Sequence, residues 1–301
     1  MDSTIVLILL QDGLLNGAIY ALLGLALVLV FAVTRVIFIP QGEFVTFGAL
    51  TLAFLVNGQV PGTVHLLLIA GSLVFLFELI EAIRNKQYAG LWRTVLWTLA
   101  LPGVLYLLLP LVMNKESPLW VLVLFSMALV VPLGPMIYRL VYQRVAEASV
   151  LVLLITSVAV HFALTGLGLV FFGNTLYGRA LRATAVNRRG ARLVGISTIM
   201  SGRITFTLAA AIGTLSGMLI APVTTIYYDT GFLIGLKGFV AAIVGGLASY
   251  PLTAAGAIFV GILEAFSSFW ASSYKEVIVF TLIIPVLLWR SFGVRHVDDE
   301  D

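Results

Sequence analysis

Apolar residues fill this chain in blocks, separated by short clusters of Pro, Gly and charged residues. A helix needs about 20 apolar residues to cross a hydrocarbon core of roughly 30 Å, and in lipid every backbone group must be paired internally. On that ruler the pattern predicts membrane helices over 14–34, 44–57, 64–83, 95–113, 119–140, 150–172, 204–226, 232–247, 252–271 and 277–289. Three of them, 44–57, 232–247 and 277–289, are short. The breaks carry turn-forming residues: Pro40-Gln41-Gly42, the 58–62 and 114–118 segments, and Ser249-Tyr250-Pro251. Glycine pairs at four-residue spacing, Gly13/Gly17, Gly213/Gly217 and Gly231/Gly235, offer faces on which helix backbones can approach closely. No convincing repeat, inverted or parallel, shows along the chain.

Lys and Arg in short loops hold those loops on the cytoplasmic side. The rule puts Arg84/Lys86/Arg93, Arg139/Arg144, the 179–203 stretch and Arg290/Arg295 inside. Crossings counted from an outside N-terminus satisfy the first two clusters, and those counted back from the last satisfy the C-terminal half. Between them lies a conflict, because the single span 150–172 separates two clusters that both carry the inside signature. Either this stretch turns back as a re-entrant hairpin around Thr165-Gly166-Leu167-Gly168, or a span is missing after Gly173. The second is the preferred reading.

Composition narrows the class. With 61% hydrophobic and 10% charged residues, the chain holds more apolar surface than a soluble fold, at about 45–50% apolar, can hide. No polar block is long enough to fold alone, so residues 1–301 read as one transmembrane domain. The cations sit in short loops without interleaved aromatics, which argues against nucleic acid. The absence of cysteine excludes disulfides and thiolate sites, and His65, His161 and His296 are scattered, so no metal site is expected. The first cation is Arg35, so the first apolar stretch lacks the basic start of a cleavable signal and is expected to be retained. A G-x-x-x-x-G-K-[ST] phosphate loop and the G-x-S-x-G and H-E-x-x-H signatures are all missing, so the chain is not read as an enzyme and no cofactor is expected on it.

The longest interruption of the apolar pattern is 174–203, with six arginines and no acid. Within it Ala183, Val186, Gly190 and Leu193 fall three or four apart, on one face of a short amphipathic helix. Such a helix either sets topology and lies on anionic headgroups, or docks into a groove on a cytoplasmic ATPase.

Here the sequence resembles a known family, the branched-chain amino-acid ABC transporter permeases of the LivH type. Gly178-Arg179-Ala180-Leu181-Arg182-Ala183 with Leu193-Val194-Gly195-Ile196 looks like that family's ATPase-coupling loop. Residues 13–30, with Arg35-Val36-Ile37 and Gln41-Gly42-Glu43, resemble its first helix and following turn. Lys237-Gly238-Phe239 through Gly245-Gly246-Leu247 resembles its glycine-rich late segment, and Glu264-Ala265-Phe266-Ser267-Ser268 with Tyr274-Lys275-Glu276-Val277 its last helical pair. Departures accompany these matches. The family usually has a histidine where this chain has Gln41, and an acid in the coupling loop where this chain has residues 186–189. Residues 63–117 look like an added helical hairpin, and the family's usual extra span before the coupling loop is absent where the charge count failed.

The resemblance implies an all-α, polytopic transmembrane helical bundle of about eight to ten membrane segments, re-entrant ones included, with a cytoplasmic coupling helix at 174–203. It implies a multi-pass permease subunit in a bacterial inner membrane, paired with a second permease subunit or a copy of itself. The expected partners are two cytoplasmic ATPase subunits, which use the ATP, an extracytoplasmic solute-binding protein, and membrane lipid. The expected cargo is a branched-chain or other hydrophobic amino acid, moved by alternating access. Gly178, Arg179, Ala180, Arg182, Ala183, Gly195 and Ile196 would couple to the ATPase, and Gln41, Gly42, Glu43, Lys237, Gly245, Gly246 and Glu264 are candidates for the translocation path. A permease of the same family for urea or short amides is the first alternative, an ion-coupled secondary carrier the second and a membrane enzyme the third.

Ionisable residues in apolar stretches have plainer readings too. Glu43 is expected to cap a helix beginning at Phe44, Lys237 and Glu264 to neutralise each other, and His161 to hydrogen-bond between helices. Glu78 and Glu81 are expected to face water beside Arg84 and Lys86. Tyr227-Tyr228-Asp229 either contacts a delivering protein or sits in the interface belt.

Overall fold

The computed structural model describes residues 2–86, 88, 90–113, 117–146, 148–173, 198–222, 226 and 230–293, with the backbone alone for 162–173, 198–201 and 289–293. No strand occurs among the described residues, and every predicted apolar block is helical. The helices are α1 (Ser3–Thr34), α2 (Gln41–Val56), α3 (Thr63–Asn85), α4 (Leu91–Val112), α5 (Leu119–Tyr142) and α6 (Val150–Gly173). They continue with α7 (Thr198–Ile220), α8 (Thr230–Val244), α9 (Tyr250–Trp270), α10 (Lys275–Thr281) and α11 (Ile283–Gly293). Six described helices, α1, α3, α4, α5, α7 and α9, are long and apolar enough to cross a membrane. The protein is an all-α polytopic membrane bundle.

Several ends differ from expectation, each for a local reason. Helix α1 begins at Ser3 rather than Leu14, because the apolar run 5–10 continues the helix through Gln11 and Asp12, which are simply exposed. Helix α7 stops at Ile220 rather than 226, ahead of Pro222, whose ring disfavours helical backbone at the residue before it. Helix α6 runs unbroken through 165–168, so the re-entrant turn considered there is not formed. The alternative, a missing span after Gly173, concerns residues 174–197, which lie outside the described set.

The chain divides into two compact units, residues 29–235 and residues 1–28 with 236–301, the division falling within α1 and within α8. In the first unit α2 is buried along its first eleven residues, 41–51. Glycine lets its neighbours close in: a Cβ at Gly217 of α7 would fall 1.8 Å from the Val45 carbonyl oxygen, and one at Gly231 of α8 would fall 2.0 Å from Thr46 Oγ1. Before α2 the chain leaves helical form at 35–40, where Arg35 takes a φ of 54°. Irregular backbone is tolerated at membrane depth only where protein covers it. Here Val36 and Phe38 are fully buried, the Ser157 hydroxyl donates to the Ile37 carbonyl at 3.2 Å, and Phe38 packs edge-on against Phe206 with centroids 4.8 Å apart.

Helices α3 and α4 pack as a hairpin within the same unit. A π-turn at Leu96–Ala100 precedes Pro102, which has no N–H to give the Thr98 carbonyl four residues back. That carbonyl faces Gly71 of α3, where an added Cβ would lie 1.9 Å away.

In the second unit α1 and α9 meet along Gly13, Gly17 and Gly261. A Cβ at Gly17 would lie 2.7 Å from Ile258 Cα, and one at Gly261 would lie 2.3 Å from the Gly13 carbonyl oxygen. Glycine seams of this kind are how helices associate in lipid, where apolar surface by itself gives no preference for protein over solvent.

Candidate functional site

Among the described residues, each unit holds a buried cluster built around a carboxylate. In the 29–235 unit, Glu43 sits in the first turn of α2 and is 1% exposed. Its Oε1 lies 2.8 Å from Nδ1 of His161 in α6. The His161 ring stacks on Phe232 of α8 at 4.2 Å between centroids, with 21° between planes. Two residues earlier Gln41, fully buried, donates from Nε2 to the Ala209 carbonyl of α7 at 2.8 Å. Two helices, α6 and α7, are thus tied by polar contacts to the first turn of α2, and α8 joins them through the ring stack on His161.

This revises one expectation and sharpens another. Helix α2 starts at Gln41, not Phe44, so Glu43 lies within its first turn, at the positive end of the helix dipole, and is also the acid partner of His161. His161 makes the interhelical hydrogen bond expected of it. Gln41, Gly42 and Glu43 are brought together, with Gly42 so close to α8 that a Cβ would fall 1.9 Å from the Gly231 carbonyl oxygen.

In the second unit, Lys237 of α8 and Glu264 of α9 pair directly, Nζ to Oε1, at 2.6 Å. Lys237 also reaches Glu276 of α10 at 3.0 Å, and Tyr20 of α1 donates from its hydroxyl to Glu264 Oε2 at 2.5 Å. Lys237 and Glu264 are 4% and 7% exposed, so both charges are withdrawn from solvent and from lipid. Each Glu264 oxygen receives a donor, as burial of a carboxylate demands. Tyr20 and Glu276 were not singled out from the sequence as site residues. The signal was indirect: a lone acid in an apolar helix needs more than one donor.

Gly245 and Gly246 stand apart from the ion cluster, in the turn between α8 and α9. A Cβ at Gly245 would lie 2.0 Å from Thr253 Oγ1, and Gly246 takes a φ of 66° in the left-handed region that glycine occupies freely. These two shape a chain reversal.

Glu78 departs from the water-facing role expected of it. It pairs with Arg139 of α5 at 3.0 Å and accepts a hydrogen bond from the Thr94 hydroxyl of α4. Arg203, in the first turns of α7, donates to Gln143 beyond the end of α5 at 3.2 Å. The coupling-loop residues Gly178, Arg179, Ala180, Arg182, Ala183, Gly195 and Ile196, and Tyr227-Tyr228-Asp229, lie outside the described residues.

Comparison with known proteins bears on both clusters. The sequence model of a family described as "Branched-chain amino acid transport system / permease component" matches residues 9–287. The chain is 37% identical over 134 residues to the high-affinity branched-chain amino acid transport system permease protein BraD of Pseudomonas aeruginosa, covering 42% of this chain and 44% of that one. It is 37% identical over 127 residues to the permease protein LivH of Escherichia coli K12, covering 42% and 41%. Over 155 residues it is 30% identical to a probable LivH of Methanocaldococcus jannaschii, covering 49% of each. The chain therefore spans less than half the length of these relatives. No solved structure matches it.

Proposed function

This chain belongs to the branched-chain amino acid transport permease family, and from that premise we propose that it is the permease subunit of an ATP-driven importer carrying a branched-chain or other hydrophobic amino acid. The observation that carries the reading is the family match from residue 9 to 287, which takes in both buried clusters. The chain supplies helices and not chemistry. On this reading it sits in a bacterial inner membrane, pairs with a second permease subunit or a copy of itself, and takes cargo from an extracytoplasmic binding protein. ATP would be used by two cytoplasmic partner subunits docked on the 174–203 segment through Arg179 and Arg182.

The charge arrangement disfavours an ion-coupled carrier. Such a carrier needs a buried acid free to take and lose its ion, whereas Glu264 is held by Lys237 and Tyr20 on opposite oxygens. The apolar cargo fits a path in which the buried charges satisfy one another. Gln41, Gly42 and Glu43 in one unit, and Lys237, Gly245, Gly246 and Glu264 in the other, remain the proposed path residues.

Uptake by the reconstituted complex, with its ATPase and binding protein, tests the reading. ATP-dependent entry of labelled leucine without entry of labelled urea is the expected result. Urea entry without leucine would replace the substrate with the short-amide alternative, and full leucine transport by the isolated chain would overturn the ATP-driven reading.

A further inference from the structure

A cavity of about 660 Å³ opens in the 29–235 unit among α3, the start of α4, the end of α5 and the start of α7. Four arginines line it, Arg93, Arg139, Arg144 and Arg203, against two carboxylates, Glu78 and Glu81. Only Arg139 has a carboxylate partner among the described residues, namely Glu78 at 3.0 Å. The cavity is therefore cationic even after its internal ion pair is formed.

The three remaining guanidinium groups are placed without being used up. Arg144 lies over the Phe77 ring at 4.3 Å and Arg93 over Trp92 at 5.2 Å. A stacked guanidinium presents its face to the ring and keeps its in-plane N–H donors for another acceptor. Arg203 gives one nitrogen to Gln143 at 3.2 Å, and its Nε is buried with no partner among the described residues. A buried donor left unmatched is destabilising, so an acceptor arriving there is favoured.

Apolar residues complete the rim of the cavity: Val74 and Phe77 of α3, Leu91 of α4 and Leu140 of α5 share the lining, Phe77 is exposed, and the exposed Trp92 is the chain neighbour of Arg93. Trp is enriched at the boundary between headgroup and hydrocarbon, and basic pockets between membrane helices receive lipid phosphates.

We infer that this cavity is a binding site for a phosphate-bearing anion, with Arg93, Arg144 and Arg203 as its donors, and that the apolar rim suits it to the headgroup of an anionic glycerophospholipid. The phosphate diester takes the in-plane donors, and the acyl chains lie along α3. Free inorganic phosphate shares the chemistry but makes no use of the rim.

The full chain, purified in neutral detergent, is offered phosphatidylglycerol, phosphatidylcholine of the same acyl chains, or inorganic phosphate, and retention is read by native mass spectrometry beside the unfolding midpoint. Wild type is expected to keep phosphatidylglycerol and unfold later with it, and to keep phosphatidylcholine at least about tenfold less well. Arg203→Gln and Arg93→Gln should each lower that retention, while Arg84→Gln, at an exposed arginine of α3 outside the cavity, should not. Stabilisation by inorganic phosphate alone would assign the site to the free anion and overturn the lipid assignment. Equal retention of the two lipids, or retention unchanged in both cavity variants, would overturn the site. Because Arg93 is exposed, its variant carries the test even if Arg203→Gln does not fold.

Discussion

Lys237 and Glu264 show how a buried charge in this chain is tolerated: by a partner on the next helix and by neutral donors behind it. Removing one member of a buried pair strands the other and costs about 3–5 kcal/mol, whereas replacing both with apolar groups is often neutral. Lys237→Met is therefore expected to lower stability by about 3 kcal/mol, and Lys237→Met with Glu264→Met to recover most of it, since Glu276 is partly exposed and can turn to water. Unfolding midpoints in detergent check this. If the double variant is no more stable than Lys237→Met alone, the pair is not what holds the site. Glu43 and His161 invite the same cycle: Glu43→Ala and His161→Ala should each cost about 1–3 kcal/mol, and the double variant less than their sum, because both remove one hydrogen bond. Strict additivity would mean that the contact contributes nothing of its own.

At the scale of elements, apolar length found the helices and could not find their partners. Every predicted block is a helix because about twenty apolar residues leave the backbone no other way to pair in lipid. The start of α1 was missed because the polar pair Gln11-Asp12 looks like a boundary, while a helix can carry such residues where it leaves the membrane. The Gly13/Gly17, Gly213/Gly217 and Gly231/Gly235 spacings were legible as surfaces for close approach, but not which helix each would meet. Glu78 shows the same limit, since Arg139 lies 61 positions downstream and no local pattern connects them. The packing can be tested glycine by glycine. Gly217→Ala places a methyl 1.8 Å from a carbonyl oxygen of α2 and is expected to cost at least about 2 kcal/mol. Gly103→Ala in α4 meets nothing within 4 Å and should gain up to about 1 kcal/mol from helix propensity. Thermal unfolding of the two single variants separates these outcomes, and a tolerated Gly217→Ala would contradict the observed closeness of α7 to α2.

For the whole molecule, the functional reading turns on which face carries the arginines. The sequence assigned Arg93, Arg139, Arg144 and Arg203 to one side by a charge rule alone, and the structure brings these four, from three separate clusters, around one cavity. Co-location of clusters far apart in the chain is what a shared membrane face requires, and Arg203 is the last arginine of the proposed coupling segment. If that segment docks an ATPase, reversing its charge should repel whatever acidic groups receive it. Arg179→Glu with Arg182→Glu is expected to weaken retention of the ATPase on co-purification at least about tenfold while the permease stays folded and in the membrane. The sidedness is checked apart from the docking: cysteine at Ser197 should resist an impermeant thiol reagent in intact cells and react once the inner face is opened. Ready labelling from outside would place the segment on the wrong face for any ATPase. Normal retention of the ATPase by the charge-reversed variant would instead leave the face correct and remove Arg179 and Arg182 from the coupling.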